Sequence, residues 1–317
     1  MYFPYLRGRQ YELLAIKELV SQKLLNKNLV VPLVEPVRLS PTLVSVMSTC
    51  IEKDYPLAIV GNPSVGSFCS DCSDLAGKPH KANYKAQFDE KFYQSQIIKS
   101  LIVNQSSISI LDDWQKKGIK KSEILAINLN RDCLDIYASA FNGCNPLYTL
   151  LPDEGAFKRR ITERRVLLDD KFEKQDGNSD YQYKMDEFFS EDHLFFRDEG
   201  FIGFSDYSIV GNEYSESGFA PYAVAIHIVY LNSDNELRVR HFVSDSNEDI
   251  SNPAKKFYEA ASKLATWYDA QNTKDNFTKG LEIFLKHHRE HTYPGLGTVK
   301  KLSIMHHLEL MNNYLNR

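Results

Sequence analysis

The sequence predicts a mixed α/β fold, a (β/α)8 barrel of the TIM type followed by a β-hairpin and a helical extension. Short apolar runs that read as strands alternate with segments of helical periodicity up to about residue 210. Alternating strands and helices indicate a parallel sheet. Eight such runs can be counted, and eight βα units are what a closed barrel requires. The alternative arrangement is an open, doubly wound sheet.

The first βα unit, residues 3–36, has the pattern that the following units repeat. Residues 3–6 form an apolar strand that ends at Arg7, and a segment with apolar residues at helical spacing follows it. Residues 29–34 are a nearly continuous apolar run, which is typical of a strand buried on both faces. A proline directly after Glu35 ends this strand.

The later units are predicted from apolar runs that end in turn-forming residues. The eight strands are predicted at residues 3–6, 29–34, 56–60, 107–111, 124–129, 147–151, 166–168 and 201–204. Helices are predicted from Ser40 and Pro41 onward, at residues 87–102, 114–121, 134–141 and 157–165, and within 183–196. The polar, glycine-containing residues 64–85 are predicted to be a loop.

The C-terminal part, residues 211–317, departs from the βα repeat but is assigned to the same single domain, residues 1–317. Residues 223–231 and 236–243 are two β runs joined by Asn-Ser-Asp-Asn, which indicates a hairpin. Helices are predicted from Asn252, at residues 276–288, and from Ser303, whose side chain can cap the last one.

The composition limits the classes of function. Of the 317 residues 43% are hydrophobic and 25% charged, as in soluble globular proteins. The net charge of −4 gives no general basic excess that would attract nucleic acid. No apolar run reaches the roughly 20 residues of a membrane span, and the N-terminus lacks the order of a signal peptide. We therefore expect a cytoplasmic protein without membrane contacts, whose five cysteines are reduced thiols.

The candidate active site lies at the ends of the predicted strands, because the carboxyl ends of barrel strands meet at one mouth. Seven of the eight ends offer Glu, Asp or Asn. Glu35, Asp169 and Asp206 are predicted to be the catalytic carboxylates and the ligands of a Mg²⁺ or Mn²⁺ ion, which prefers oxygen ligands. Arg7 is predicted to bind a phosphate group. The alternative is that Asp and Asn at strand ends are turn formers and helix caps.

Four further residues complete the predicted site. Asn62 and Asn130 follow predicted strands, and Lys300 follows a Gly-Leu-Gly turn that could bind an anion, so all three are candidate substrate-binding residues. His241, on the hairpin, is a candidate general acid or base if the hairpin folds over the mouth. It shares a strand face with apolar residues, so a half-buried structural histidine is the alternative.

The pair Cys69 and Cys72 has the spacing of half a zinc site. No second close pair of cysteines follows, so four ligands would have to come from distant loops. Free thiols are the favoured interpretation, and a zinc or redox role is the alternative.

The stretch YFPYLRGRQYEL, with VVPLVEPV about twenty residues later, resembles the bacterial and phage "beta protein" family. The stretches LLDDKF, GFSDY and YPGLGTVKKLSIMHH are similar as well, so the resemblance covers nearly the whole chain. The resemblance implies a TIM-barrel-type fold, a phage-defence or mobile-element setting, and a small partner protein from a neighbouring gene, but no activity. The matching site candidates are Arg7, Glu35, Asp169, Asp206 and His307.

Two functions are compatible with these observations. The first is a metal-dependent enzyme, such as a hydrolase, that acts on a phosphate-bearing substrate, either a nucleotide or nucleic acid. The second is a non-catalytic scaffold in a defence or toxin–antitoxin-like module, in which a strand of the hairpin pairs with a partner.

Overall fold

The structure is a computed structural model that describes residues 1–215, 221–271 and 275–317. The chain divides into two compact units. The first, here called the barrel unit, consists of Met1–Leu13, Asn26–Asp169 and Asp192–Asp206. The second, here called the hairpin unit, consists of Leu14–Leu25, Asp170–Glu191 and Tyr207–Arg317.

The described strands belong to two sheets. They are β1 (Tyr5–Leu6), β2 (Leu33–Val34), β3 (Leu57–Val60), β4 (Ile97–Ile102), β5 (Leu125–Ile127), β6 (Tyr148–Leu151), β7 (Arg165–Leu168), β8 (Asp186–Ser190), β9 (Gly203–Ser205), β10 (Ala225–Leu231) and β11 (Leu237–Val243). Strands β1 to β7 and β9 form a parallel sheet of eight strands in the barrel unit. Strands β10, β11 and β8 form an antiparallel sheet in the hairpin unit.

The helices complete the two units. They are α1 (Gln10–Ser21), α2 (Pro41–Glu52), α3 (Phe68–Ser73), α4 (Pro79–Phe92), α5 (Ser107–Lys116), α6 (Leu134–Ala140), α7 (Gly155–Arg160), α8 (Asp192–Phe195), α9 (Pro253–Asp269), α10 (Lys279–Glu290) and α11 (Leu296–Leu315). Short 3-10 turns cover Lys121–Glu123, Arg131–Cys133, Asp180–Tyr183 and Ser208–Val210. Among the described residues, no helix is both long and apolar enough to cross a bilayer.

The eight parallel strands nearly close into a barrel, which confirms the predicted (β/α)8 fold class. Each strand pairs with the next one around the sheet, from β1 to β7 and then β9. The sheet returns on itself because Phe3 N donates to Phe204 O (2.9 Å) and Tyr5 N donates to Asp206 O (2.8 Å). Apolar strands such as β3, in which all four residues are buried, fill the core as expected for a parallel sheet covered on both faces.

Three predicted elements in residues 64–111 are wrong. The predicted loop at 64–85 contains α3 and the start of α4, whose first position is Pro79. The predicted helix at 87–102 ends at Phe92, and its second half is β4. The apolar spacing of α4 runs without a break into β4, but the β-branched residues there pair with β3 and β5.

The predicted strand at 107–111 is helix α5. Alternating Ser and Ile residues imitate a strand, yet Leu111 and Trp114 bury one helical face while Ile108 is exposed. The predicted helix at 114–121 is the end of α5 followed by a turn. The predicted start of α2 is confirmed, since the Ser40 hydroxyl accepts a hydrogen bond from Leu43 N (3.2 Å).

The hairpin unit contains the predicted hairpin and one unexpected strand. Strands β10 and β11 pair in the register His227 to His241. The helix predicted within 183–196 is present only as the short α8 at Asp192–Phe195, because β8 occupies Asp186–Ser190 and pairs with β11. Acidic residues disfavour a strand intrinsically, but Asp186 accepts hydrogen bonds from Arg238 and Arg240 of β11. Cross-strand pairing of this kind outweighs intrinsic propensity.

The helices of the hairpin unit follow the predictions except at one start. Asn252 caps α9 by accepting from Lys255 N (3.2 Å), as predicted. Helix α10 begins at Lys279, with Thr278 as its cap, close to its predicted start. Helix α11 begins at Leu296, so Ser303 is a buried residue within it and not its cap. Gly295 precedes the helix at φ +87°, a conformation that glycine adopts without strain.

Candidate functional site

The interior face of the barrel can be identified from its first strand. Side chains on a strand alternate between two faces, so Phe3, Tyr5 and Arg7 share one face. Phe3 contacts the ring of Tyr148 on β6, with ring centres 4.8 Å apart. Strand β6 is not a neighbour of β1, so this contact crosses the barrel interior. Arg7 therefore projects inward at the carboxyl end of β1, where barrel active sites form.

Glu35, which follows β2, is fully buried and accepts hydrogen bonds from four donors. The Tyr5 hydroxyl donates to Oε2 (2.8 Å), and Arg7 forms an ion pair with the same oxygen. Ser64 donates to Oε1 from both its backbone N–H (2.7 Å) and its hydroxyl (2.8 Å). These donors fix the carboxylate, and the carboxylate in turn orients the Arg7 guanidinium. The site candidates Arg7 and Glu35 are thus brought together.

The Asp206 side chain lies on the face of the sheet opposite to that of Arg7 and Glu35. Its Oδ1 accepts a hydrogen bond from the Tyr2 hydroxyl (2.8 Å), and Tyr2 lies three residues from Tyr5, on the other face of the first strand. Tyr2 stacks on Phe204 (5.1 Å), which contacts Phe196 after helix α8. Burial and the Asp206 charge raise the pKa of Tyr2 well above its usual value, so that Tyr2 remains a donor. Asp206 therefore lies among the side chains that face the helices.

Asp169 lies beside Asp206 in the sheet, since Asp169 N donates to Ser205 O (3.3 Å), and its side chain is exposed. The three carboxylates predicted to share a metal are thus divided between the two faces of the sheet. Among the residues that the structure describes, no three His, Cys, Asp or Glu side chains are grouped to hold a metal ion. The Mg²⁺ or Mn²⁺ site stays a prediction.

The two asparagines predicted to bind substrate have structural partners. Asn62 donates to Ile102 O (2.8 Å) and accepts from Ile102 N (2.9 Å), which extends the pairing between β3 and β4. Asn130 accepts from Asp132 N (3.0 Å) at the start of a 3-10 turn. Asn130 thus has the capping contact that the alternative interpretation of strand ends describes, whereas Asn62 joins two neighbouring strands.

His241 belongs to the hairpin unit, and its side chain has no exposed surface. Its Nδ1 lies 2.7 Å from Nδ1 of His227, its register partner on β10. Its Nε2 lies 3.1 Å from Oε1 of Glu187 on β8. The Tyr181 ring packs against both imidazoles, with ring centres 4.6 Å apart in each case. Burial lowers the pKa of both histidines.

Lys300, the remaining substrate-binding candidate, lies on α11 in the hairpin unit. Its charge is one of the causes, after burial and His241, that lower the pKa of His227. The cysteines Cys69 and Cys72 are free thiols on helix α3, and burial raises the pKa of each. Neither thiol therefore has the low pKa that marks a reactive cysteine.

The hairpin unit also contains a groove of about 720 Å³ that the sequence did not predict. Its walls include Phe242 and Arg240 of β11 and Tyr258, Lys263 and Trp267 of α9. Each cation has an acidic partner, because Arg240 pairs with Asp186 and Lys263 with Asp245. The sequence signal for this groove was that Arg238, Arg240 and Phe242, at every second position of β11, share one face of the strand.

Comparison with protein-family models, with curated proteins and with solved structures finds no match to this chain. The resemblance to the beta protein family therefore stays a prediction.

Proposed function

We propose that the mouth of the barrel binds a phosphate-bearing ligand, a nucleotide or a nucleic-acid end, on which the protein acts as an enzyme. The observation that supports this proposal is the inward-facing ion pair of Arg7 and Glu35 at the carboxyl ends of β1 and β2. Moving each of the two charges out of water costs roughly several kcal/mol of desolvation free energy. Stability alone therefore does not favour such a pair. Perturbed or buried charges at a barrel mouth are candidates for function.

The surroundings of Arg7 suit anion recognition. The Glu35 carboxylate holds one end of the guanidinium, and the Tyr5 ring lies 5.3 Å from the guanidinium carbon. A guanidinium fixed in this way can offer parallel N–H donors to two phosphate oxygens. Such a group stabilises negative charge that develops on a phosphoryl oxygen, which is the principal protein contribution to phosphoryl chemistry.

Arg7→Lys tests the proposal because lysine keeps the charge beside Glu35 but loses the planar fork. We expect binding of inorganic phosphate and adenosine monophosphate, measured by calorimetry, to weaken by roughly 10-fold or more, since lysine cannot form the second parallel hydrogen bond and a hydrogen bond to a charged group contributes roughly 1.5–3 kcal/mol. Arg160→Lys is the matched control, because Arg160 pairs with exposed Asp135 at the end of α7, before β7 begins. Equal affinity of Arg7→Lys and the unchanged protein, or no phosphate binding at all, would contradict the proposal.

The second candidate function, a non-catalytic partner-binding protein, is favoured by the edges of the antiparallel sheet. The outer edge of β10 is already occupied, because the Asn276 side chain bonds to both Leu231 N (2.7 Å) and Leu231 O (3.1 Å). His306 Nε2 also bonds to Val229 O on this edge (2.6 Å). The other edge is β8, with which no second strand pairs in the described part of the chain.

Strand β8 is therefore the better candidate for pairing with a partner strand than the hairpin strand β10. Three apolar side chains lie exposed on or just before it: Tyr183 at 82%, Met185 at 59% and Phe188 at 51%. We propose the small protein of a neighbouring gene as the partner. Co-purification should be lost on Phe188→Lys but retained on Tyr222→Lys, which changes an equally exposed aromatic residue elsewhere in the hairpin unit. Loss of binding in both variants, or in neither, would refute the role of β8.

A further inference from the structure

The two histidines of the hairpin sheet share one hydrogen bond that depends on their protonation. His227 and His241 are register partners on β10 and β11, and their Nδ1 atoms lie 2.7 Å apart. At this distance one nitrogen must carry the proton while the other accepts it. If both nitrogens carried protons, two donors would face each other and the hydrogen bond would be lost.

Glu187 of β8 selects the arrangement of the neutral pair. Its carboxylate can only accept, so His241 Nε2, 3.1 Å away, carries a proton. In neutral His241 the Nδ1 atom is then the acceptor, and His227 Nδ1 is the donor. One additional proton can be accommodated, either on His227 Nε2 or between His241 and Glu187. Protonation of both rings, however, would place a proton on His241 Nδ1, opposite the proton of His227 Nδ1, and would bring two imidazolium rings together.

The pair joins three segments of the hairpin unit. It lies on β10 and β11, binds β8 through Glu187, and is walled by Tyr181 and by Phe172, whose ring is 5.2 Å from His227. Gln182 and Met185, in the segment that ends at β8, form part of the wall of the 720 Å³ groove. Detachment of this segment would therefore open the groove and expose the edge of β8 that pairs with β11.

We propose that His227, His241 and Glu187 form a proton-operated latch that holds residues 172–190 on the hairpin at neutral pH and releases them in acid. The inference goes beyond the proposed function, because it concerns access to the groove and to β8.

The charged groups around the pair set the direction of the response. Lys300 of α11 opposes a charge on His227, and Lys184 opposes one on His241, while Glu187 and Asp186 of β8 favour a charge on His241. The Tyr181 phenol stays neutral because burial raises its pKa. Burial and these charges together lower the pKa of both histidines, and burial is the largest cause. The latch is therefore fully closed above the ordinary histidine pKa of about 6.5 and weakens as the pH falls below it.

The expected size follows from this linkage. Once residues 172–190 have detached, we expect each histidine of the hairpin to regain a pKa of about 6.5, so lowering the pH to about 5 favours release roughly 30-fold for each histidine that is not protonated in the closed form. Release should therefore increase between about 30-fold and about 1,000-fold, the upper limit applying if neither ring takes up a proton while closed.

Hydrogen exchange of the full chain at about pH 7.5 and about pH 5, corrected for the intrinsic rate, measures this release. We expect amides of Asp186–Ser190 to lose protection by that factor and, at about pH 5, to exchange faster than the amides of α11, because α11 is not part of the released segment. Equal opening free energies of β8 and α11 at about pH 5 would show global unfolding and overturn the proposal, as would unchanged protection of β8.

Two variants separate the latch from a purely structural pair. His227→Phe keeps an aromatic ring beside Tyr181 and Phe172 but leaves His241 facing Glu187 alone, so the pKa of His241 should rise above its value in the unchanged protein. The same variant should reduce the pH response of β8 by at least 5-fold. His288→Phe, on α10 and stacked on Tyr258, is the matched control and should change neither quantity. Titration of both histidines in the unchanged protein near pH 6.5, observed by NMR, would refute the latch without any variant.

Discussion

The substitution Glu35→Gln isolates the electrostatic part of the barrel-mouth network. Glutamine keeps the shape of the side chain but presents one oxygen and one NH₂ group. In either orientation the NH₂ group faces donors, either the Ser64 N–H and hydroxyl or the Tyr5 hydroxyl and Arg7. The substitution also leaves the Arg7 charge without its buried carboxylate. Loss of one partner of a buried pair costs about 3–5 kcal/mol, and we expect a loss in this range.

Urea unfolding provides the measurement. For a slope of about 3 kcal/mol per M, this loss lowers the midpoint of the barrel unit's transition by on the order of 1 M. Asp54→Asn is the control, because Asp54 pairs with Lys27 at the surface, where both side chains are at least half exposed. That change should cost under about 1 kcal/mol. A loss below about 1 kcal/mol for Glu35→Gln would refute the view that the network is a fixed, buried charge pair.

Three further predictions concern single buried groups. Asn128→Leu should raise the free energy of unfolding by about 1–2 kcal/mol, because the buried Asn128 amide has no hydrogen-bond partner in the described protein; a lower melting temperature would contradict this. Gly280→Ala should destabilise the hairpin unit by about 2 kcal/mol or more, since an added Cβ would lie 2.5 Å from the Leu302 carbonyl oxygen, and denaturant melts measure the loss. Burial lowers the pKa of His306 to about 4 and of His307 to about 3. The free energy of unfolding that the two neutral histidines contribute is therefore complete above about pH 6.5 and decreases by ~2 kcal/mol for each by about pH 5. Unfolding curves that show the same stability at several pH values would contradict this.

The fold class could be predicted because the strands of a parallel barrel are short apolar runs that need no knowledge of their partners. The missed strands are those whose stability comes from contacts across the sheet. Strand β4 follows helix α4 after only four residues, and its apolar residues continue the helical spacing of Phe88 and Phe92, so periodicity does not separate the two elements. Strand β8 carries two acidic residues and depends on Arg238 and Arg240, about fifty positions later in the chain.

The Glu35 network could be predicted only in part for the same reason. Glu35 was identifiable because a carboxylate at the end of an apolar run has no role in packing. Its donors were not all identifiable, since Ser64 lies in a segment that was expected to be an open loop. The partner of Asp206, Tyr2, lies 204 residues away in the sequence. A contact of that separation exists only because the barrel brings its last strand beside its first.

The predicted ring of carboxylates assumed that residues at strand ends point toward a common centre, and alternation of side chains limits that assumption. Adjacent positions on one strand face opposite sides of the sheet, so only every second strand-end residue faces the barrel interior. Arg7 and Glu35 occupy matching positions on β1 and β2, one residue beyond the register pair Leu6 and Val34, and therefore share the interior face. Asp206 follows Ser205, which shares the interior face with Phe3 and donates to its carbonyl oxygen (2.5 Å), so Asp206 faces outward. A strand-end residue in a βα-barrel is thus a site candidate only when its register with the neighbouring strands, and not merely its chain position, directs it inward.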